Sequence, residues 1–396
     1  MIGDARWLLP EGIEELLPPA AWRLEQLRRR LLDLYRRWGY ELVIPPLIEF
    51  LESLLTGTGN DLELETFKLI DQLSGRLLGI RADITPQVAR IDAHRLKRAL
   101  PTRLCYFGTV LHTRGDGFGG SRSPLQIGAE IYGHAGYESD LEVVSLLLET
   151  LATAGLNEAQ LDLGHVSIFR CLVRQAGLSQ EQEAALFEAL QRKALPEIRE
   201  QLQEYGLAAV LRDSFLALAE LNGDEEVLTV AERRLPTIAA EIEPALAGLR
   251  YLAATLRRRL PTLPISFDLA ELRGYNYHTG LVFAAYVPGY GQEVARGGRY
   301  DNIGRVFGRP RPATGFSADL RLLLRLGNGE DRPTAAIYAP ACSSDTTLET
   351  RVNELRQQGE CVIRDLPGDD PGPRAFGCER VLQRQGDDWI VVPVVT

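Results

Sequence analysis

The sequence predicts a protein of mixed helix and strand, with a helical insertion inside a strand-rich body and a small α/β unit behind a linker. Three observations lead there. Runs of β-favouring residues return on both sides of a segment, about 168–260, in which Leu and Ala recur at helical spacing and glycine thins out. The stretch Gly327-Asn-Gly-Glu-Asp-Arg-Pro333 is polar and rich in turn formers, as a linker is. The 396 residues allow two or three domains at about 150 residues each. The expected division is 1–326, containing the insertion, and 333–396.

In chain order, Leu24, Leu27, Leu31, Leu34, Tyr35 and Trp38 fall three or four apart and predict one apolar stripe on a helix over 20–38, stopped at Gly39. Tyr40 to Ile44 is β-favouring and closes at Pro45-Pro46, as at a sheet edge. Residues 76–133 read mostly as strand, and Thr102–His112 with Ser123–Tyr132 form a hairpin around the long loop Arg114–Arg122. Glu138–Ala154 is a helix with Leu141, Val144, Leu148 and Leu151 on one face and Gly155 as its stop. Gln160–Ser167 is a strand. The insertion reads as four or five helices punctuated by Pro196, Pro236 and Pro244. Strands return at Ile265–Leu272 and Gly280–Val287, and a glycine-rich turn, Gly297-Gly-Arg-Tyr-Asp301, leads to a last helix near 316–326. Beyond the linker, strands are expected at 335–339, 361–366 and 389–395 and a helix at 348–358.

Composition narrows the function. Net charge is −10, from 44 basic and 54 acidic residues, which opposes a chain built to grip a phosphate backbone. Arginine is spread along the whole chain, and only Lys68, Lys97 and Lys193 are lysines, a skew read as base composition of the source. No apolar run reaches the roughly 18 residues of a membrane span. The first residues lack a basic-then-apolar leader, so a cytoplasmic protein is expected. Cys105, Cys171, Cys342, Cys361 and Cys378 form no C-x-x-C pair and read as buried free thiols. The five histidines show no metal-ligand spacing, so neither a metal nor a cofactor is expected.

Few motifs suggest chemistry. Gly115-Asp-Gly-Phe-Gly-Gly120 has dinucleotide-fingerprint spacing but precedes a strand, not a helix, and reads as a hairpin loop. In Arg273-Gly-Tyr-Asn-Tyr-His-Thr-Gly280, an arginine fork suits a carboxylate, and Tyr275, Tyr277 and His278 suit a flat ring, although a plain hairpin with a surface arginine fits as well. Gln126 and Glu130, four apart on a strand, point to one face, and Asp83 and Thr85, two apart, read the same way. Such a face suits an ammonium group or, equally, solvent.

These segments carry a resemblance. Gly39-Tyr-Glu-Leu-Val-Ile-Pro-Pro-Leu-Ile-Glu49 resembles the dimer-interface motif of the class II aminoacyl-tRNA synthetases. Asp83-Ile-Thr-Pro86 and Gly108 through Gln126-Ile-Gly-Ala-Glu130 resemble the histidyl-tRNA synthetase form of motif 2. Arg273–Gly280 resembles that family's histidine-binding signature, and Gly297–Asp301 and Gly315-Phe-Ser-Ala-Asp-Leu-Arg321 resemble its closing segments. The likeness runs in order over roughly 8–325.

The departures bear on activity. Where that family clamps ATP with an arginine and meets adenine with a glutamate, this chain has His112 and Arg114. In the loop beyond, only Arg122 matches. The motif 3 glycine is Asp319 and its arginine is Leu322, with Arg321 one place early. Losing one such donor costs roughly 3 kcal/mol of transition-state stabilisation. On the amino-acid side Thr85, Gln126, Glu130 and Arg273 match, with Asp83 in place of a glutamate, His278 of a tyrosine and Asn276 of an aspartate. The C-terminal unit is shorter than the family's anticodon-binding domain.

More narrowly, Trp7-Leu-Leu-Pro-Glu-Gly-Ile13, the loop Gly115–Ser123 and Arg273–Phe283 resemble the synthetase paralogues that serve ATP phosphoribosyltransferase as regulatory subunits. That resemblance implies an α+β fold of the class II synthetase type, an antiparallel sheet with flanking helices and a two-fold dimer. It implies no catalytic residues, a short-form catalytic partner in a hetero-octamer, and feedback by L-histidine. The implied histidine pocket is Asp83, Thr85, Gln126, Glu130, Arg273, Tyr277 and His278, with a subunit interface as the alternative place. Two other readings stand beside it: an active histidyl-tRNA synthetase, and a stand-alone amino-acid transferase or tRNA-binding regulator. The acidic balance and the short C-terminal unit count against the last.

Overall fold

The computed structural model describes residues 7–56, 60–115, 120–272, 274–275, 277–327, 336–341, 345–366 and 372–394. Two compact units divide the chain, Met1–Gly329 and Glu330–Thr396.

In the first unit, α1 (Ala20–Arg37) buries Leu27, Leu31, Leu34 and Tyr35, the predicted stripe. Gly39 follows with φ +82°. Then come β1 (Glu41–Val43), β2 (Ile48–Phe50), α2 (Leu51–Leu54), α3 (Asn60–Glu65), β3 (Phe67–Ile70) and β4 (Leu77–Ile80); β2, β4 and β3 make a small antiparallel sheet. Residues 85–96, expected within strand, are instead helical: α4 (Thr85–Ile91) continues as a π-helical turn, Asp92–Leu96. Pro86 occupies the first turn, where a missing N–H costs nothing, and Ile84, Val88, Ala89 and Ala93 are buried together at helical spacing. Asp83 and Thr85 therefore do not share a strand face; Asp83 ends a loop and Thr85 opens the helix.

The hairpin forms as expected, with β5 (Thr102–Thr109) antiparallel to β6 (Leu125–Tyr132). Residues 116–119 of its loop, including most of the Gly115–Gly120 motif, lie outside the described residues. Next, α5 (Tyr137–Thr153) is buried on more than the predicted face, and β7 (Gln160–His165) follows. The insertion holds six helices where four or five were expected: α6 (Ser167–Ala176), α7 (Gln180–Gln191), α8 (Leu195–Glu204), α9 (Ala209–Glu220), α10 (Glu226–Arg234) and α11 (Ala239–Arg259). A two-residue strand, β8 (Asn222–Gly223), interrupts it. Pro244 lies inside α11 and does not end it.

The chain returns through β9 (Ile265–Asp268), β10 (Leu281–Tyr286), β11 (Ala295–Arg299), α12 (Ile303–Val306), β12 (Ala313–Asp319) and α13 (Leu320–Leu326). The segment Gly297–Arg299, expected as a turn, is thus a strand in mid-sheet, and Phe316–Asp319, expected as the start of a helix, belongs to its neighbour β12. Facing side chains demand these glycines. A Cβ on Gly297 would lie 2.5 Å from the Phe283 ring and 2.2 Å from the Gly315 carbonyl oxygen.

The main sheet runs β1-β5-β6-β12-β11-β10-β7-β9-β8. It is antiparallel from β5 through β7 and parallel at β1-β5 and β7-β9. One face carries Ile127, Ala129, Ile131 and Phe316 into the core with α1, α5 and the insertion. The other face, half covered by α4 and α12, carries the polar residues. Two buried ion pairs fasten its rim. Arg299 donates to Asp140 Oδ2 (3.1 Å), Ser139 Oγ (2.9 Å) and the carbonyls of His134 and Gly136. Arg311 donates from Nη1 to both oxygens of Asp92, at 2.9 and 3.0 Å, and from Nη2 to the carbonyls of Leu100 and Tyr132.

In the second unit, β13 (Ile337–Ala339) lies between parallel β14 (Val362–Arg364) and β15 (Arg380–Gln385), with β16 (Asp388–Pro393) antiparallel on β15. Helix α14 (Thr346–Gln357) is capped by Asp345, whose Oδ1 accepts from the amides of Thr347 and Leu348. A turn of helix, α15 (Gly372–Ala375), precedes β15, and neither of these two elements was expected. Of the thiols, Cys105, Cys171 and Cys378 are buried, Cys361 is exposed against expectation, and Cys342 lies outside the described residues. Among the described residues no helix is long and apolar enough to cross a membrane.

Removing one partner of a buried ion pair strands a charge, at a cost of about 3–5 kcal/mol. Arg311→Met should lower stability in urea unfolding by that much, and Arg311→Met/Asp92→Leu by less than the single change. A double variant worse than the single one would show that the pair does not act as a unit.

Candidate amino-acid pocket

The polar face of the sheet is a floor of glycines around one carboxyl group. Leu104, Glu130, Gly315, Gly298 and Val282 lie in register across five strands. A Cβ on Gly315 would fall 1.4 Å from Glu130 Oε2, and one on Gly298 would fall 2.8 Å from His278 Nδ1. Above this floor lies a cavity of about 500 Å³, within the range of small-molecule sites. Its walls come from the loop before α4, the 274–278 turn and α7 of the insertion, with Asp83, Thr85, Glu130, Tyr277, His278 and Tyr300 among the lining residues.

Glu130 is 1 % exposed. Its Oε1 accepts from the Tyr106 hydroxyl (3.0 Å) and from Thr85 Oγ1 (3.3 Å), and its Oε2 accepts from the Tyr300 hydroxyl. Burial pushes its pKa up to about 8, and the hydroxyls of Tyr300 and Tyr106 only partly offset that. The empty pocket therefore holds a mostly neutral acid at pH 7. Tyr277 stacks on Tyr300, ring centroids 4.9 Å apart, with its hydroxyl buried and unpartnered among the described residues. His278 is held by its amide to the Gly274 carbonyl (2.7 Å). Burial pushes its imidazole down to about 4, and Nδ1 is likewise unpartnered.

Asp83 Oδ1 accepts from Gln126 Nε2 (2.7 Å) and from the Thr85 amide (3.1 Å), while Gln126 Oε1 accepts from the Ile84 amide (2.9 Å). Both ends of the Gln126 amide thus hold the loop that carries Asp83. Of the expected site residues, the structure brings together Asp83, Thr85, Gln126, Glu130, Tyr277 and His278; Arg273 lies outside the described residues, as does Asn276. Sequence reasoning missed Tyr106 and Tyr300, two of the three hydroxyls on Glu130. Tyr300 stood inside a quoted motif, but Tyr106 is revealed only by strand pairing, which sets it opposite Gly128.

The other end of the sheet is occupied by the protein itself. His112 Nε2 lies 2.9 Å from the Ala82 carbonyl oxygen, and Arg114 is exposed. Asp319 Oδ1 accepts from the amides of Leu125 and Arg321, both at 3.0 Å, and Leu322 packs on the core.

A family model described as histidyl-tRNA synthetase matches residues 12–323, and one described as the ATP phosphoribosyltransferase subunit HisZ C-terminal domain matches 334–392. A protein of Thioalkalivibrio sulfidiphilus named ATP phosphoribosyltransferase regulatory subunit is 59 % identical over 99 % of both chains. The chain belongs to the histidyl-tRNA synthetase-like family of ATP phosphoribosyltransferase regulatory subunits. Another regulatory subunit, from Alkalilimnicola ehrlichii, is 57 % identical over 99 % of this chain and 98 % of its own. A solved structure from Bacillus halodurans, titled as an ATP phosphoribosyltransferase regulatory subunit/histidyl-tRNA synthetase, superposes with TM-score 0.81 at 27 % identity, covering 93 % of this chain and 95 % of its own. A Nostoc histidyl-tRNA synthetase shares the fold, with TM-score 0.78 at 18 % identity over 98 % of this chain and 97 % of its own. The family is that of a regulatory, noncatalytic subunit in histidine biosynthesis, and its fold is the class II synthetase α+β fold with a large mixed sheet.

The pKa directions give a pH test. The unfolded chain releases the Glu130 proton near pH 4.5 and the folded chain holds it to about 8, so its contribution to stability falls as pH rises between them. His278 and His165 are pushed from 6.5 to about 4, so their contribution rises with pH across that lower window. Above pH 6.5 only Glu130 of these three still acts. The melting temperature should fall from pH 6.5 to 8, and Glu130→Gln should flatten that fall. An unchanged slope in the variant would assign the titration to another group.

Proposed function

We propose that this subunit senses free L-histidine in the pocket over Glu130 and passes its occupancy to a short-form catalytic subunit that joins ATP to phosphoribosyl pyrophosphate. The observation that carries this reading is the buried Glu130 carboxyl, ringed by the hydroxyls of Thr85, Tyr106 and Tyr300 on a glycine floor. An imidazole N–H there meets an acceptor that water does not reach. Asp83 and Thr85, held by Gln126, face the ammonium group, Arg273 takes the carboxylate, and Tyr277 and His278 enclose the ring. The proposed assembly is a hetero-octamer built on homodimers of the synthetase-like domain. Leu42 of β1, Ile44 and Leu47 after it, and Ile48 at the start of β2, all exposed, support such a dimer. Binding tRNA is not part of this reading, since the chain is acidic overall.

The test mixes the purified chain with a short-form catalytic subunit and follows phosphoribosyl-ATP formation with and without millimolar L-histidine. Activation that histidine reverses is the expected result, with coupling of about 1–3 kcal/mol, or 5- to 150-fold. No change in rate and no co-elution would sink the reading. Within the pocket, Glu130→Gln should weaken histidine binding in calorimetry by about two- to tenfold, since a hydrogen bond between neutral groups is worth about 0.5–1.5 kcal/mol. Histidine inhibition unchanged by Arg273→Ala would move the effector to another site.

A further inference from the structure

At the end of the sheet where β5 begins, two segments carry cations that the chain does not neutralise. Residues 94–101 close the π-helical turn and lead into β5, and residues 302–312 hold α12 and lead into β12. Together they contain Arg95, Lys97, Arg98, Arg305, Arg309 and Arg311 and no acidic residue, in a chain with ten more acids than bases. Arg309 donates from Nη2 to the Arg98 carbonyl, Arg311 donates from Nη2 to the Leu100 carbonyl at 2.7 Å, and the His94 and Phe307 rings meet edge-on, centroids 6.1 Å apart. The two segments are thus one surface. Arg98 is paired with Glu41 and Arg311 with Asp92. Arg95, Lys97, Arg305 and Arg309 form no ion pair among the described residues, and the first three are exposed. Leu100, 77 % exposed, and Val306, 49 % exposed, stand among them.

The backbone carries a second sign. Among the described residues only Lys97 and Lys193 take a positive φ without being glycine, at +51° and +49°. Such a turn is easiest for glycine, so a side chain held there needs a use. Lys193 has one within the chain, an ion pair from Nζ to Asp268 at 2.7 Å. Lys97 has no such pair. We propose that this surface docks the catalytic subunit through an acidic patch on that partner. Four unneutralised cations are met by carboxylates from outside the chain, and aliphatic side chains set among charges make a protein contact rather than a stripe for phosphates. Opposite charge also steers the encounter, at a face where this otherwise acidic chain does not repel an acidic partner. The proposal rests on the chain serving a separate catalytic subunit and is independent of where histidine binds.

Lys97→Glu/Arg305→Glu in the full chain tests it, with the short-form catalytic subunit as the probe in biolayer interferometry. Native binding should weaken as sodium chloride is raised. The variant should bind about tenfold more weakly, chiefly through slower association, and with less dependence on salt. A variant that binds as the native chain does at low salt overturns the proposal alone. A native chain that does not bind the catalytic subunit overturns the pairing, and the proposal with it. Sedimentation of the variant by itself and a gel shift with transfer RNA test the other occupants. Lost self-association assigns the face to a second copy, lost RNA binding assigns it to a nucleic acid, and either overturns the docking. Lys97→Gly is the second variant, and it decides if the charge reversals do not fold. It should melt at a higher temperature than the native chain, because the turn suits glycine, and yet bind the catalytic subunit more weakly. Native affinity in that variant overturns the proposal.

Discussion

A carboxyl group enclosed in the middle of a sheet sets the terms for everything around it. A buried carboxyl group without hydrogen-bond partners is costly, so Glu130 needs them, and Thr85, Tyr106 and Tyr300 supply them from a helix start, an adjacent strand and a strand end. Those three side chains reach it only because the sheet has no side chain at Gly128 or Gly315: a Cβ at the first would lie 2.4 Å from the Tyr106 hydroxyl, and one at the second would strike Glu130 itself. Glycine weakens a strand, yet here β6, β11 and β12 are held by packing on their other face, where Ile127, Ala129 and Phe316 join the core. The apolar face supports the sheet so that the polar face has room for chemistry.

The two ends of that polar face have opposite fates. At the Glu130 end, buried polar atoms on Tyr277 and His278 lack partners among the described residues, the condition a ligand would relieve. At the Asp319 end, the amides of Leu125 and Arg321 are met by the Asp319 carboxylate, and the guanidiniums of Arg122 and Arg321 by backbone carbonyls. The substitutions that set this chain apart from a histidyl-tRNA synthetase in sequence therefore do more than delete donors. Asp319, in place of a glycine, ties the amides of two neighbouring strand ends to its own carboxyl group. On this synthetase fold the cavity lies at the Glu130 end, and the Asp319 end is filled by the chain's own atoms.

How much of this was legible depended on whether the determining contact is local. Helices α1 and α5 and the β5–β6 hairpin announce themselves by period and by flanking glycine, and the motifs placed Glu130, Thr85 and Asp83 near one another through resemblance. The failures share a cause. Gly297-Gly298 looks like a turn because glycine frees the backbone; it is a strand because Phe283 and His278 occupy the space that side chains would need. Residues 85–96 lie within a stretch that reads mostly as strand, yet Ile84, Val88 and Ala93 carry a helical period and Pro86 sits in the first turn, where it does not break a helix. Tyr106 gave no signal because its partner stands 24 residues away, across the hairpin. The Gln126 amide looked like a ligand group, and pairing shows it spent on the loop that carries Asp83.

An effector changes a partner's activity only if its contacts differ between two states of the protein, so the wall of the pocket matters as much as its floor. That wall belongs to two bodies. Tyr275, beside Tyr277 in the turn over the floor, donates its hydroxyl to Glu183 of α7 at 2.6 Å and packs on Phe187, ring centroids 5.4 Å apart. The Tyr275 carbonyl accepts from Arg170 of α6 at 2.5 Å, and the Arg170 guanidinium lies 4.6 Å from the Tyr275 ring centroid. A ligand that draws Tyr277 and His278 toward Glu130 must move the same short turn, and Tyr275 with it. The insertion then follows or loses those contacts, because a packed aromatic pair and a short hydrogen bond do not stretch. The six-helix insertion, which takes no part in building Glu130's cage, is in this way tied to the turn that carries Tyr277 and His278.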